Sequence, residues 1–250
     1  MIARRLALRR ALGGALVMTF GGLSAPGAIA APPTCRVEAA GAPPRVIELY
    51  TSEGCNSCPP ADRWLSSLLG RDDTLAAAFH VDYWDRLGWR DRFGSARHAQ
   101  RQAQLQAQSG VGFSYTPQVL VDGRDWRRWP ALPPAAPTGR ATLALQREGD
   151  RVHWQVQPGA DAPARLALWW ALLEDGHVTA VKAGENAGVT LRHDHVVRQF
   201  GVVPPWRGSA AHTIDVPARG EGGRPVRVLA VVTDATSGAP LQAAQLRCPV

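Results

Sequence analysis

Cys55 and Cys58, in the stretch YTSEGCNSCPPAD, stand three residues apart. That spacing serves dithiol redox centres and half-sites for zinc, and it also arises by chance. A disulfide is attacked by a thiolate rather than a thiol. A helix N-terminus favours the thiolate through its free N–H groups and positive dipole end. RVIELYTS (45–52) reads as a β-strand, and PPADRWLSSLLG (59–70) has Trp64, Leu65, Leu68 and Leu69 at helical spacing. The pair therefore falls at a strand-to-helix junction. Cys55 comes first and is expected to be the more exposed, which makes it the nucleophile. Cys58, one turn on, is the resolving thiol. Pro59 and Pro60 suit a first helical turn but remove two N–H donors. That leaves the Cys58 N–H as the expected donor to the Cys55 sulfur, and a thiolate less stabilised than usual. Zinc would need a second close pair of cysteines, and there is none, so no metal is expected at the thiols.

The compartment decides what such a pair can do. Residues 1–30 carry Arg4, Arg5, Arg9 and Arg10, then an apolar run interrupted by glycine, then Ala28-Ile29-Ala30. This is the pattern of a cleaved secretory signal peptide, and its apolar run is short for a membrane span. The expected location is periplasmic or secreted, with no span after cleavage. Cleavage removes four arginines and no acid, taking the formal charge from +7 to +3. No basic run is interleaved with aromatics, so nucleic acid is not an expected partner. All four cysteines, Cys35, Cys55, Cys58 and Cys248, survive cleavage into an oxidising compartment. Of the three possible pairings, Cys55 with Cys58 and Cys35 with Cys248 is the most economical. The long-range bridge would stabilise by roughly 5 kcal/mol in the chain-entropy treatment.

Farther along, LAAAFHVDYW (75–84) reads as a second strand, residues 91–110 as a helix, and TPQVLVDGR (116–124) as a third strand. WPALPPAAPTG (129–139) reads as a Pro-rich linker. ATLALQR, RVHWQVQ, ARLALWWALL, AHTIDVPA and PVRVLAVVTD then follow as strand-like runs. The expected organisation is a signal peptide (1–30), an α/β domain (31–128), the linker (129–139) and a mostly β, sandwich-like module (140–250).

Tyr115-Thr116-Pro117 leads into the third strand. With the C-x-x-C at the first helix, this order resembles the thioredoxin fold. The resemblance implies that Pro117 is a cis-proline beside the thiols and that Thr116 docks an extended substrate through its backbone. VIELYTSEGCNSCPPAD, HVDYWDRLGWRDRF, YTPQVLVDGR and GENAGVTLRHDHVVR together look like the bacterial secreted thioredoxin-like family carried as a domain of unknown function. That likeness implies a thioredoxin-like domain with a C-terminal β extension and an exported location, but no substrate. The Pro-rich segment 129–139 stands where the last helix of that fold would be.

Other groups read two ways. Glu48 lies mid-strand, either as a buried acid taking the resolving thiol's proton or as a solvent-facing edge residue. His80 and Asp82, two apart on one strand, with Trp84 following, either line the thiol cleft or belong to a hydrogen-bond network holding a loop. His193-Asp194-His195 offers two metal ligands if extended, although a polar strand or loop face is the commoner arrangement. GENAG (184–188) reads as a tight turn. The expected activity is thiol–disulfide exchange on protein or small thiol and disulfide substrates, with an unidentified redox partner and no organic cofactor. The alternatives are a copper(I) carrier using the same thiols with His80 or the H-D-H stretch, and a non-catalytic binding module whose short bridge locks a loop.

Overall fold

The computed structural model describes residues 34–109, 112–134 and 139–248. The segment 1–30, expected to be a signal peptide, lies outside these. The strands are β1 (Thr34–Ala39), β2 (Arg45–Thr51), β3 (Thr74–His80), β4 (Gln118–Val121), β5 (Arg124–Asp125), β6 (Ala141–Glu148) and β7 (Arg151–Pro158). They continue as β8 (Leu166–Glu174), β9 (His177–Ala180), β10 (Thr190–His193), β11 (Val196–Trp206), β12 (Ala210–Asp215), β13 (Val226–Asp234) and β14 (Pro240–Arg247). Two α-helices stand among the described residues, α1 (Pro59–Ser66) and α2 (Ala96–Ser109).

The expected α/β thioredoxin-like domain with a separate β module is overturned. Strands hold 44% of the described residues against 13% in helix, so the fold is mostly β. One eight-stranded sheet runs in the order β14-β13-β8-β11-β3-β2-β4-β5, across both sides of the Pro-rich segment. The reason is β11, which lies beside β3 in parallel through Val196 and Ala78 and pairs antiparallel with β8 along most of its length. It carries the later strands onto the edge of the earlier sheet. A four-stranded antiparallel sheet, β1-β6-β7-β12, is hydrogen-bonded separately from it. Cys35 on β1 is bridged to Cys248 just past β14, so the long-range disulfide joins these two sheets.

Alternation along β2 and β3 splits the core between two faces. Ile47, Leu49, Ala76 and Ala78 meet Ala61, Leu65 and Leu68 at α1. Val46, Tyr50, Ala77 and Phe79 point the other way, with Trp169, Leu173, Ala99 and Leu105, where α2 covers the sheet. Leu143, Leu145, Val152 and Trp154 of the smaller sheet pack on Leu166, Leu168, Val228 and Val232. The stretch expected to be a linker is partly core. Trp129 stacks on Trp64 at 5.7 Å between centroids, and Leu132 packs into the same cluster over α1.

Glu48 is buried on the α2 face. Arg101 of α2 grips its carboxylate at 2.9 and 3.1 Å, and the Tyr50 hydroxyl donates to it at 3.0 Å. The guanidinium also lies 4.5 Å from the centroid of Trp169. A paired charge can stay buried, but an orphaned one is costly. Arg101→Met is expected to lower unfolding free energy by about 3–5 kcal/mol, with much of the loss recovered in the double variant Glu48→Leu, Arg101→Met. Urea denaturation of the two variants checks this; equal loss in both would contradict it.

Candidate functional site

The cysteine loop leaves the end of β2 and turns into α1. Pro59 and Pro60 fill the first two helical positions, as their missing N–H groups allow. Cys58, Ala61, Asp62 and Leu65 recur at i, i+3, i+4 and i+7, so the helix turns all four inward. Cys55 and Cys58 are joined as a disulfide. Both residues are 0% exposed, which corrects the expectation that Cys55 is the more open of the two. Its neighbours Asn56 and Ser57 do reach solvent. The Cys58 N–H donates to the Cys55 carbonyl at 3.2 Å rather than to the sulfur, whose polar neighbour is the Ser57 hydroxyl at 3.4 Å.

A distant segment covers the pair. β9 and β10 form a two-stranded antiparallel ribbon, and its connection, 181–189, contains GENAG. Asn186 is buried there, and its side-chain amide donates to the carbonyls of Glu53 (2.8 Å) and Cys55 (3.0 Å). The Asn56 N–H donates to the Glu185 carboxylate at 3.1 Å. Gly184 and Gly188 take positive φ angles of 72° and 85°, which a glycine tolerates and which lets the connection fold tightly. On the other flank, Gly54 has no side chain, so Trp84 can close in; a Cβ there would meet the Trp84 Cβ at 3.0 Å. The Trp84 indole N–H then donates to Thr116 Oγ1 at 2.7 Å, and the Thr116–Pro117 peptide bond is cis.

Beneath the loop lies a polar cluster. Asp91 Oδ2 accepts from the Glu53 N–H at 2.9 Å and lies 2.7 Å from His80 Nδ1, while Oδ1 accepts from the Phe93 N–H at 2.9 Å. Burial works against charge on His80, but the Asp91 carboxylate beside it outweighs this and holds its pKa above the usual value. Burial likewise raises Asp91, and His80 together with the two N–H donors brings it below the ordinary range. Asp62 is raised, chiefly by burial, despite a 3.1 Å hydrogen bond from Thr51 Oγ1. Glu53 accepts from the Trp89 indole at 2.8 Å and faces His193 Nε2 at 3.2 Å.

The structure thus gathers Cys55, Cys58, Thr116, Pro117, Trp84 and His80 around one loop. It does not bring Glu48, which belongs to Arg101 on the opposite sheet face. Nor does Asp82 partner His80; it lies past the end of β3, half-buried, and the acid on His80 is Asp91. His193 and His195 separate as well. His193 faces Glu53, whereas His195, at a positive φ of 58°, lies by Arg227 and Asp175. Asp62, Asp91, Asn186 and Glu53 were not singled out from sequence as site residues, whereas His193 was, as half of a possible chelating pair with His195. For Asp62 a signal existed, since an acid interrupts the inward stripe begun by Cys58.

A family model described as "Protein of unknown function (DUF1223)" matches residues 46–233. No curated protein matches the chain. Among solved structures, the chain is similar to the crystal structure of protein AGR_C_4864 from Agrobacterium tumefaciens. Identity is 25%, the TM-score is 0.61, and the match covers 84% of this chain and 96% of that one. It shares a fold with HBP35 of Porphyromonas gingivalis at 16% identity and a TM-score of 0.58, over 83% of this chain and 76% of that one.

Burial pushes His98, whose Nδ1 lies 2.8 Å from the His80 carbonyl, and His195 both down to about 4. A histidine with a lowered folded pKa stabilises above its unfolded value and loses that contribution as pH falls toward the folded one. His80 has the opposite sign; its contribution is full below its unfolded pKa and is lost on the alkaline side. Stability is therefore expected to drop between about pH 6.5 and pH 4, by roughly 3 kcal/mol for each of His98 and His195. Thermal melts across that range check it; a flat profile would contradict it.

Proposed function

This chain belongs to the DUF1223 family, and we propose that it is an exported thiol–disulfide oxidoreductase acting through Cys55 and Cys58. The observation that carries this reading is the contrast between the two bridges. Cys35–Cys248 closes a separation of 213 residues and Cys55–Cys58 a separation of 3. In the chain-entropy treatment the first stabilises by roughly 5 kcal/mol and the second by less than half as much. The short bridge adds little to folding that the long one does not already supply, and it sits at a helix start, where thiolates are favoured.

In the reductive direction the Cys55 thiolate attacks a substrate disulfide. A Cys55–substrate sulfur bond forms, the substrate S–S bond breaks, and one substrate thiolate leaves. Cys58, as thiolate, then attacks the Cys55 sulfur and releases the second substrate thiol, closing the internal disulfide. Two electrons pass to the substrate, and the reverse sequence oxidises a substrate dithiol. Cys55 is the attacking residue because exposed Asn56 and Ser57 follow it, whereas Cys58 lies on the inward stripe of α1. Thr116, half-buried and tied to the loop through Trp84, offers its backbone to an extended substrate. Both cysteines are buried, so the loop must open for either sulfur to be reached. Export rests on the signal-peptide pattern of residues 1–30.

Cysteine-resolved alkylation and mass spectrometry of the mature chain across a glutathione series tests the proposal. Cys55–Cys58 is expected to open reversibly above roughly −270 mV while Cys35–Cys248 stays closed. Asn186→Ala should speed opening about tenfold, the equivalent of ~1.4 kcal/mol of lost hydrogen bonding. A pair that stays oxidised until the chain unfolds sinks the enzyme reading and leaves a binding module with a locked loop.

A further inference from the structure

We propose that Asp62, His80 and His193 form a binding site for one divalent first-row transition-metal ion beneath the cysteine loop. Each residue contributes one donor atom, and the three atoms lie within 4.8 Å of one another. The residues come from three elements, α1, β3 and β10, and are 7%, 0% and 2% exposed. The site does not depend on exchange chemistry at the thiols.

Unsatisfied polar atoms carry the argument. His80 Nδ1 is committed to Asp91, and His80 Nε2 has no hydrogen-bond partner. His193 Nδ1 has none either, while His193 Nε2 faces the Glu53 carboxylate at 3.2 Å. A buried polar group left unpaired costs about 1–3 kcal/mol, and two in one place call for a common explanation. One cation bound by both imidazoles supplies it.

The surroundings match what a metal centre needs. A ligating imidazole commonly donates its other N–H to a carboxylate, as His80 does to Asp91. Thr51 orients the Asp62 carboxylate at 3.1 Å, and Phe93 closes the site, packing at 5.2 Å from His80 and 5.7 Å from His193 between ring centroids. Asp62, Asp91 and Glu53 balance the charge of the ion. Bonds of about 2.0–2.2 Å require the donors to draw closer than their outer spacing. Two imidazoles and a carboxylate suit zinc, iron(II) or cobalt(II) and leave a coordination position open. The set contains no sulfur, so it is not the copper(I) arrangement considered for the thiols.

The other histidine–carboxylate group, Glu174, His177 and Glu221, is already satisfied. His177 Nε2 lies 2.8 Å from Glu174, and Arg92 and Arg198 pair with Glu221 at 2.6 and 3.1 Å.

The test is titration of chelator-treated mature protein with Zn2+, and with Co2+ followed by its visible absorption, keeping the Cys55–Cys58 bridge intact so that no thiolate can bind. One ion per chain is expected, with a higher melting temperature in the bound state. His193→Gln and Asp62→Asn, each checked for native circular dichroism, should weaken binding by at least ~100-fold, since even outer partners of a metal ligand are worth 10–100-fold. Absence of stoichiometric binding overturns the proposal and assigns the space to an ordered water. Binding that survives either folded variant overturns it too, because the ion then sits elsewhere.

Discussion

One carboxylate holds the centre of this molecule together. Asp91 is 2% exposed, and its two oxygens take the Glu53 N–H, the Phe93 N–H and the His80 ring. Those contacts tie the cysteine loop, the end of β3 and the segment leading to α2 to a single point. An ionised acid survives such burial only when every oxygen is engaged by a donor. Its ionisation in turn keeps His80 in one orientation, with Nδ1 toward Asp91 and Nε2 toward Asp62 and His193. The tautomer and direction of the ring are therefore set from behind, by a residue that touches neither sulfur.

The second dependence runs through the β9–β10 ribbon. Its connection places Asn186 against the carbonyls of the cysteine loop, and its second strand ends in His193. Cover and buried cluster thus belong to one element. The eight-stranded sheet provides the rigid base for this arrangement, because β11 follows β10 directly and is fixed between β3 and β8. The long disulfide, between β1 and the end of β14, restrains the far side, so the site can open without the sheets parting.

Local patterns carried much of this. The strand-like runs at 45–52, 141–147 and 225–234 hold β2, β6 and β13, and the cysteine pair and His80 lie at the strand ends and helix start that their neighbours implied. The fold class was not legible, because it turns on β11. That strand was not among the expected strand-like runs; it contains Gly201 and the Pro204–Pro205 pair, and its partners are set by long-range pairing that no local period reveals. The site divides in the same way. Glu53 meets Asp91 across 38 positions, and Asn186 meets Glu53 across 133. Asn and Asp in loops ordinarily satisfy nearby turns, so nothing in their neighbourhood marked them. His193 looked like half of a chelating pair with His195, but the positive φ at His195 sends the two rings to different neighbours.

The most direct test is to trap the intermediate. Cys58→Ser and Cys55→Ser versions of the mature chain would each be incubated, folded, with a small peptide disulfide and weighed intact under non-reducing conditions. The account predicts a mixed disulfide on Cys55 in the first variant and far slower modification of Cys58 in the second. If neither thiol reacts until denaturant is added, the buried pair is a structural clasp and the exchange mechanism is contradicted.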